Sequence, residues 1–434
     1  MVGIPATIVK LDWQLEGEQT PADLPNFESL ARRLRYRALG KACRSFRINT
    51  LMLAHHKDDQ AETILLRLNA GYTGTGLAGI QSRARIPECA GMYGVHGSGG
   101  PPASSHDEHG EDMSVATGGI EIVRPLLQFS KVELYKLCHE NGVSWIEDAT
   151  NQVVSLTPRN AIRNMLKNKR LPRALNKPAL IRLADIKGEQ MTVTKHAAVD
   201  ALTRLNPTIN YEAGPVNFEV TGSIHASINQ STALNVLKTL ASRVSSQDDI
   251  SKQQLVTACS QVFPHISTAD GESEGPRLPV TRVFTAADVL WEGSSMVGDN
   301  TKWRWQLSRQ RPSKPFPLCT WSSETLENGH SQRYGTWQLF DGRYWVRAYH
   351  AERKPLSLQL LSEDSLKRTR QGVSKERRLE LDNLLHEFAP GRLRFTLLAF
   401  VDDQTGTVLA LPTLQWRIGH SKSIKWELQY KQVF

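Results

Sequence analysis

The apolar positions near the start of the chain change rhythm more than once. Residues 26–48, NFESLARRLRYRALGKACRSFRI, place Leu30, Leu34, Ala38 and Ala42 at helical spacing, with Asn26 in a capping position. The spacing predicts a basic amphipathic helix. Residues 49–54 form a short apolar run, which predicts a buried strand, and 58–70 return to a helical period. A glycine-rich turn, GYTGTGLAGI, follows. Residues 81–119 then lose nearly all large apolar groups and become rich in Gly, Ser and His. Such a stretch buries too little surface to offset its ordering entropy, so a flexible surface insertion is expected.

Periodicity returns at residue 120. GIEIVRPLL predicts a strand, and SKVELYKLCHENGV predicts a helix with Ser130 as N-cap, Glu133 completing a capping box, and Gly142 as the stop. SWIEDATN is expected to be a loop and RNAIRNMLKNKRL a second basic helix. Strand and helix in alternation predict an α/β layered domain. Residues 175–205 predict one long helix. Beyond 210, aromatic and β-branched clusters separated by turns, such as YGTWQLFDGRYWVRAYH, predict antiparallel strands. Polar, proline-containing segments between 245 and 335 predict long loops. The expected division is 1–170, a helical linker at 171–210, and a β-rich region at 211–434.

Composition narrows the class. A chain of 434 residues suggests two or three domains. No run of about 18 apolar residues occurs, so no spanning helix is expected. The net charge of +9 favours a polyanionic partner, nucleic acid first. Cys43, Cys89, Cys138, Cys259 and Cys319 are scattered and include no CxxC pair, which argues against a zinc ribbon or a disulfide framework. The opening MVGIPATIVKLDWQ is no secretory signal and lacks the pattern of a transit peptide. An intracellular location, in cytoplasm or mitochondrion, is expected.

The densest chemistry lies in HHKDDQAET, residues 55–63. His55 and His56 stand where a strand ends, the usual ligand position in a parallel α/β sheet. Asp58, Asp59 and Glu62 follow on the first turns of a helix, spaced to share one side. Four roles are open to them. They can hold Mg2+ against phosphates, clamp an ammonium, bind zinc, or simply cap a surface helix.

HHKDDQAETILLRL with GYTGTGLAGI resembles the signature of the tRNA(Ile)-lysidine synthetases, which are N-type ATP pyrophosphatases of the PP-loop superfamily. ESLARRLRYRAL, IVRPLL, WIEDATN and RNAIRNML resemble further elements of that family, in the same order. The likeness beyond residue 210, in DGRYWVR and VLALPTL, is loose and points to fungal-type members. The resemblance implies a partial Rossmann-like, adenine nucleotide alpha hydrolase-like domain. It implies a ligase that uses ATP and Mg2+ to activate C2 of the wobble cytidine of tRNA(Ile) with a CAU anticodon. Free L-lysine then displaces AMP. Carried over residue by residue, His55, Asp58, Asp59 and Glu62 are the expected catalytic centre, with Asp58 and Asp59 as magnesium ligands. Arg32, Arg35, His56, Arg124, Asp148, Asn151, Arg159 and Arg163 are expected to bind ATP or substrate. The β-rich region is a candidate tRNA-binding part.

One family element has no counterpart. The S-G-G-x-D-S phosphate loop is absent from the sequence as written, and Ser98–Gly100 precede two prolines instead of opening a helix. Weak ATP binding, or a non-catalytic tRNA-binding relative, is therefore the alternative expectation. A base-thiolating pyrophosphatase is disfavoured by the unpaired cysteines.

Overall fold

The computed structural model describes residues 5–13, 27–100, 113–147, 157–168, 170–264, 281–296, 299–312, 318–321, 335–351, 354–419 and 423–431. In chain order the first elements are α1 (Phe27–Ser45), β1 (Thr50–Met52), α2 (Lys57–Asn69), β2 (Arg83–Arg85), β3 (Ser114–Val115), β4 (Glu121–Val123), α3 (Lys131–Glu140), α4 (Pro158–Lys167) and α5 (Lys177–Leu205). The chain forms two compact units, Met1–Cys89 with Ile120–His196, and Ala90–Gly119 with Ala197–Phe434. No helix of the described residues is long and apolar enough to cross a membrane.

The first unit has the expected α/β character. Its sheet runs β1-β4-β2, with Leu51 opposite Ile122 in a parallel pair and Ala84 opposite Ile122 in an antiparallel one. A parallel pair needs a long crossover, and α2 lies within it. β1 departs from expectation. It is not buried, and Met52 is 71% exposed, because β1 is an edge strand of this sheet. The helical period over α1 is right, but its fully buried face is Tyr36, Gly40 and Cys43, while Leu30 and Leu34 are only half-buried. α2, α4 and α5 meet in an apolar cluster of Ala61, Ile64, Leu65, Ile162, Leu166 and Leu180. Ser130 and Glu133 form the predicted capping box, and Gly142 adopts φ +62° after the helix.

The insertion expected at 81–119 is a correction. Residues 101–112 lie outside the described residues, but much of the rest is packed. Ile86 and Cys89 are buried in the first unit, and Val95, Ser98 and Ala116 are buried in the second. β3 pairs in parallel with a C-terminal strand, Val115 opposite Tyr430. Small residues make this possible. A Cβ on Gly99 would lie 2.7 Å from the Trp345 ring, whose Nε1–H donates to Ser98 O at 2.5 Å. The described parts are thus ordered by a few apolar residues of their own together with a close fit against a large side chain elsewhere.

The second unit contains β5 (Thr208–Ile209), β6 (Val216–Val220), α6 (Gly222–Ser227), α7 (Gln230–Val244), α8 (Val256–Val262), β7 (Thr281–Ala286), β8 (Val289–Met296), β9 (Asp299–Arg309), β10 (Cys319–Trp321), β11 (Gln338–Phe340), β12 (Tyr344–His350), β13 (Leu356–Leu360), α9 (Glu363–Gly372), α10 (Lys375–Phe388), β14 (Leu398–Val401), β15 (Val408–Leu411), β16 (Trp416–Arg417) and β17 (Ile424–Tyr430). Its sheets run β5-β6-β9-β8-β7, β10-β13-β14-β15-β16 and β11-β12-β17-β3. The β-rich expectation holds. The expectation of long loops over 245–335 is corrected in part. β7, β8 and β9 form an antiparallel meander there, and Trp291 and Trp305 pack beneath α7 and α8.

A buried charge group sits in this unit. Asp341 accepts from Arg309 Nε at 3.1 Å and from Arg343 Nε at 2.8 Å, and all three side chains are essentially inaccessible. Lys431 lies close by and donates to Ser245 O at 2.6 Å. Burial pushes the Lys431 amine down to about 7, Arg343 and Arg309 act the same way, and Asp341 and Asp248 oppose them. The unfolded chain keeps this ammonium up to about pH 10. Between pH 7 and 9 the unfolded state therefore binds more protons, and stability rises with pH by up to about 1.4 kcal/mol per unit. Lys431→Met is expected to flatten that rise in urea titrations of the full chain. Parallel pH profiles for the two proteins would contradict it.

Candidate active site

The histidine–carboxylate stretch is built on the junction of β1 and α2. Leu53 N–H still donates to Val123 O at 2.9 Å, so the chain leaves the sheet just before His55. His56 is the N-cap of α2. Its Nδ1 accepts from Asp59 N at 3.4 Å, and its own N–H donates to Asp59 Oδ2 at 2.9 Å. Asp59 therefore has a capping role, one of the structural alternatives open from the sequence. Capping engages only one of its oxygens. Oδ1 accepts from Arg159 Nη2 at 3.1 Å.

The three carboxylates do not share one partner. They fan out to three helices. Asp58 Oδ2 accepts the Lys131 N–H at the start of α3, 2.7 Å away, and Oδ1 pairs with Lys177 Nζ at the start of α5. Burial acts to raise the Asp58 carboxyl, but the Lys131 N–H and the Lys177 ammonium outweigh it and hold the group below its usual value. Glu62 is 3% exposed. Its Oε2 accepts from Arg159 Nε and its Oε1 from Arg163 Nε, both at 2.8 Å. The i, i+4 arginines of α4 thus close on one glutamate, and that ion pair raises Arg163 further.

His55 is half-buried, and its Nδ1 has no hydrogen-bond partner among the described residues. Desolvation lowers its pKa below 6.5. Arg124, Arg159 and Arg35 push the same way, and Asp59 opposes them. These surroundings favour the neutral imidazole over the charged one, and a neutral ring carries one donor and one acceptor nitrogen. Arg124 is 8% exposed, gives Nη1–H to Gln81 O at 2.7 Å, and leaves Nε without a partner among the described residues.

The other predicted residues divide. Arg32 pairs with Glu88 at 3.3 Å and lies over the Tyr36 ring, as does Arg35 at 5.6 Å. Asp148 and Asn151 lie outside the described residues. Asp58 and Asp59, the expected magnesium ligands, are both engaged by the chain itself. Each carboxylate is held by a different cation of the chain, and among the described residues no group of three His, Cys, Asp or Glu is placed to hold a metal. All five cysteines are free thiols.

Three supporting residues escaped sequence reading. Gln60 exchanges two hydrogen bonds with the backbone of Ile80, at 3.1 and 2.5 Å. Arg67 donates to Gly76 O and Gly79 O at 2.9 Å. Together they fold the glycine-rich turn back on α2, and Gly79 at φ +66° has Gln60 where a Cβ would lie. The third is Lys177. A lysine opening a helix opposes the helix dipole, and that anomaly was the available signal.

Comparison with known proteins fits this arrangement. Residues 2–170 match the PP-loop domain family. This part of the chain is a PP-loop domain. Over 420 residues the chain is 26% identical to the probable tRNA(Ile)-lysidine synthase of Schizosaccharomyces pombe, covering 94% of this chain and 78% of that one. It is 34% identical over 142 residues to the tRNA(Ile)-lysidine synthase of Wolbachia pipientis, and 33% identical over 138 residues to that of Bacillus subtilis. Those two alignments span 26% and 22% of the bacterial proteins, and 33% and 32% of this chain. The bacterial alignments thus span about a third of this chain, while the fungal one spans most of it, the second unit included.

Proposed function

We propose that this chain is a tRNA(Ile)-lysidine synthase, using ATP to join free lysine to C2 of the wobble cytidine of tRNA(Ile). In this reaction the cytosine O2 attacks the α-phosphate of ATP and pyrophosphate leaves. The lysine ε-amine then attacks C2, and the C2–O2 bond breaks as AMP departs. One observation carries the reading. Asp58 already seats a primary ammonium, that of Lys177, beside two further carboxylates at the end of a PP-loop strand. The substrate lysine presents the same group. Asp59 and Glu62 fix Arg159 and Arg163, and these guanidiniums stabilise negative charge that develops as phosphate leaves. His55, whose burial favours the neutral ring, is suited to take the proton that the incoming amine sheds. The basic chain supplies long-range attraction for tRNA.

A second reading, a tRNA-binding relative that does not catalyse, draws on one specific observation. All three carboxylates are already matched by cations of the chain itself. One experiment separates the two. The full chain is incubated with ATP, labelled lysine and tRNA(Ile) carrying a CAU anticodon, and both AMP release and label in RNA are followed. Stoichiometric transfer with AMP release is expected. Tight tRNA binding with neither product would favour the second reading.

A further inference from the structure

Of the three carboxylates at the candidate centre, Asp58 has the counter-ion that leaves most easily. Glu62 is gripped by two guanidiniums, with Arg159 Nε and Arg163 Nε at 2.8 Å and Arg163 Nη2 at 3.0 Å. Asp59 is held on both oxygens, by the His56 N–H at 2.9 Å and by Arg159 Nη2 at 3.1 Å. Forked guanidinium bonds of this kind are strong, and a single ammonium does not match them. Lys177 is different. Its ammonium meets Asp58 Oδ1, and its side chain is 42% exposed. Ion pairs open to water add little. Lys177 is also the first residue of α5, where a cation opposes the helix dipole. Asp58 keeps its aim without it, because Oδ2 stays on the Lys131 N–H at 2.7 Å and the His56 ring lies 3.8 Å away.

We propose that Lys177 is an internal competitor of the substrate: its ammonium holds the place on Asp58 that the side-chain ammonium of free lysine takes, and the strength of this one ion pair sets the lysine affinity of the chain. The proposal rests on the lysine-joining function argued above. It gives a reason for a centre whose carboxylates are all matched by the chain itself. A largely enclosed carboxylate left without a cation is costly. Asp58 is 15% exposed, so a resident ammonium keeps it balanced between turnovers. The incoming lysine carries the same group on the same four-carbon stem, so one ammonium replaces another and the charge on Asp58 is balanced throughout. An amino acid with a neutral side chain has nothing to offer in exchange. Selection for lysine is thereby built into the pair that the substrate must open.

Equilibrium dialysis of labelled lysine against the full chain reads the affinity without any turnover. Lys177→Met keeps an apolar stem and removes the charge. It is expected to bind lysine about fivefold more tightly, the upper end for an exposed ion pair. Lys177→Arg puts a forked guanidinium on the same carboxylate and is expected to bind lysine about fivefold more weakly. In transfer assays the KM for lysine should shift in the same two directions, with kcat within about twofold, since ground state and transition state gain or lose the same contact. 6-Aminohexanoate, which keeps the side-chain ammonium, should displace labelled lysine, and norleucine, which lacks it, should not. Weaker binding in both variants makes Lys177 a purely structural support, and unchanged binding in both separates it from the substrate. Either result overturns the proposal, as does equal displacement by norleucine. Opposite shifts in dialysis with no label reaching tRNA(Ile) leave the exchange standing and overturn the proposed function. No lysine binding by the wild-type chain or by Lys177→Met overturns both.

Discussion

Replacing Glu62 with glutamine is expected to abolish measurable lysine transfer, by about 100-fold or more, while costing the first unit about 2 kcal/mol. Glu62 is 3% exposed and carries Arg159 and Arg163, at 2.8 Å each. Glutamine keeps the shape but removes the charge. Both guanidiniums then lose the Glu62 carboxylate, and Arg159 keeps only its 3.1 Å pair with Asp59 Oδ1, so both shift from their places. Removing one partner of a buried ion pair costs roughly 3–5 kcal/mol when both groups are enclosed. Here the arginine side chains are 35% and 36% exposed, so water offsets part of that cost. The effect on turnover is larger, since a displacement of about 1 Å of a charge-stabilising group costs about two orders of magnitude. Thermal melting and AMP release of the variant measure the two effects separately. A folded, fully active Glu62→Gln chain would remove this glutamate from the chemistry.

The largest effect on stability is expected from Asp341→Asn in the second unit. Asp341 is fully buried between Arg309 and Arg343. Its loss leaves two enclosed guanidiniums with no carboxylate between them, at a cost of about 3–5 kcal/mol. That is a large share of the ~5–15 kcal/mol that holds a typical domain together. Arg309→Met is expected to cost less, because Asp341 keeps its 2.8 Å bond from Arg343. Denaturant titration by tryptophan fluorescence suits the comparison, since Trp291, Trp305 and Trp345 are fully buried in this unit. Equal losses for the two variants would contradict the asymmetry. The site of the substitution is also conformationally special. Asp341 and Gly342 form a turn at φ +48° and +59°, and Ser246 lies where a Gly342 side chain would project.

Periodicity alone located α1, α2, α3, α4 and α5, because a helix that buries one face must repeat its apolar residues with the helical period. The capping signals of α3 were equally legible, being local hydrogen bonds between residues three apart. The same holds for the stretch HHKDDQAET, whose place at a strand end follows from its flanking pattern. What each charge does was decided elsewhere. Asp58, Asp59 and Glu62 read as one acidic side, yet their partners come from α3, α4 and α5, up to 119 residues away. No local pattern encodes a partner so distant. Likewise the burial of β1 depended on its place in the sheet order. The packing of residues 86–99 and 113–116 is not legible locally, because their own composition is poor in large side chains, while Trp345, which packs against Gly99, lies far along the chain. Sequence determined the local elements and the chemical groups available, through backbone propensity and spacing. Tertiary structure decided which groups meet, because ion pairing and close packing depend on distance in space, not along the chain.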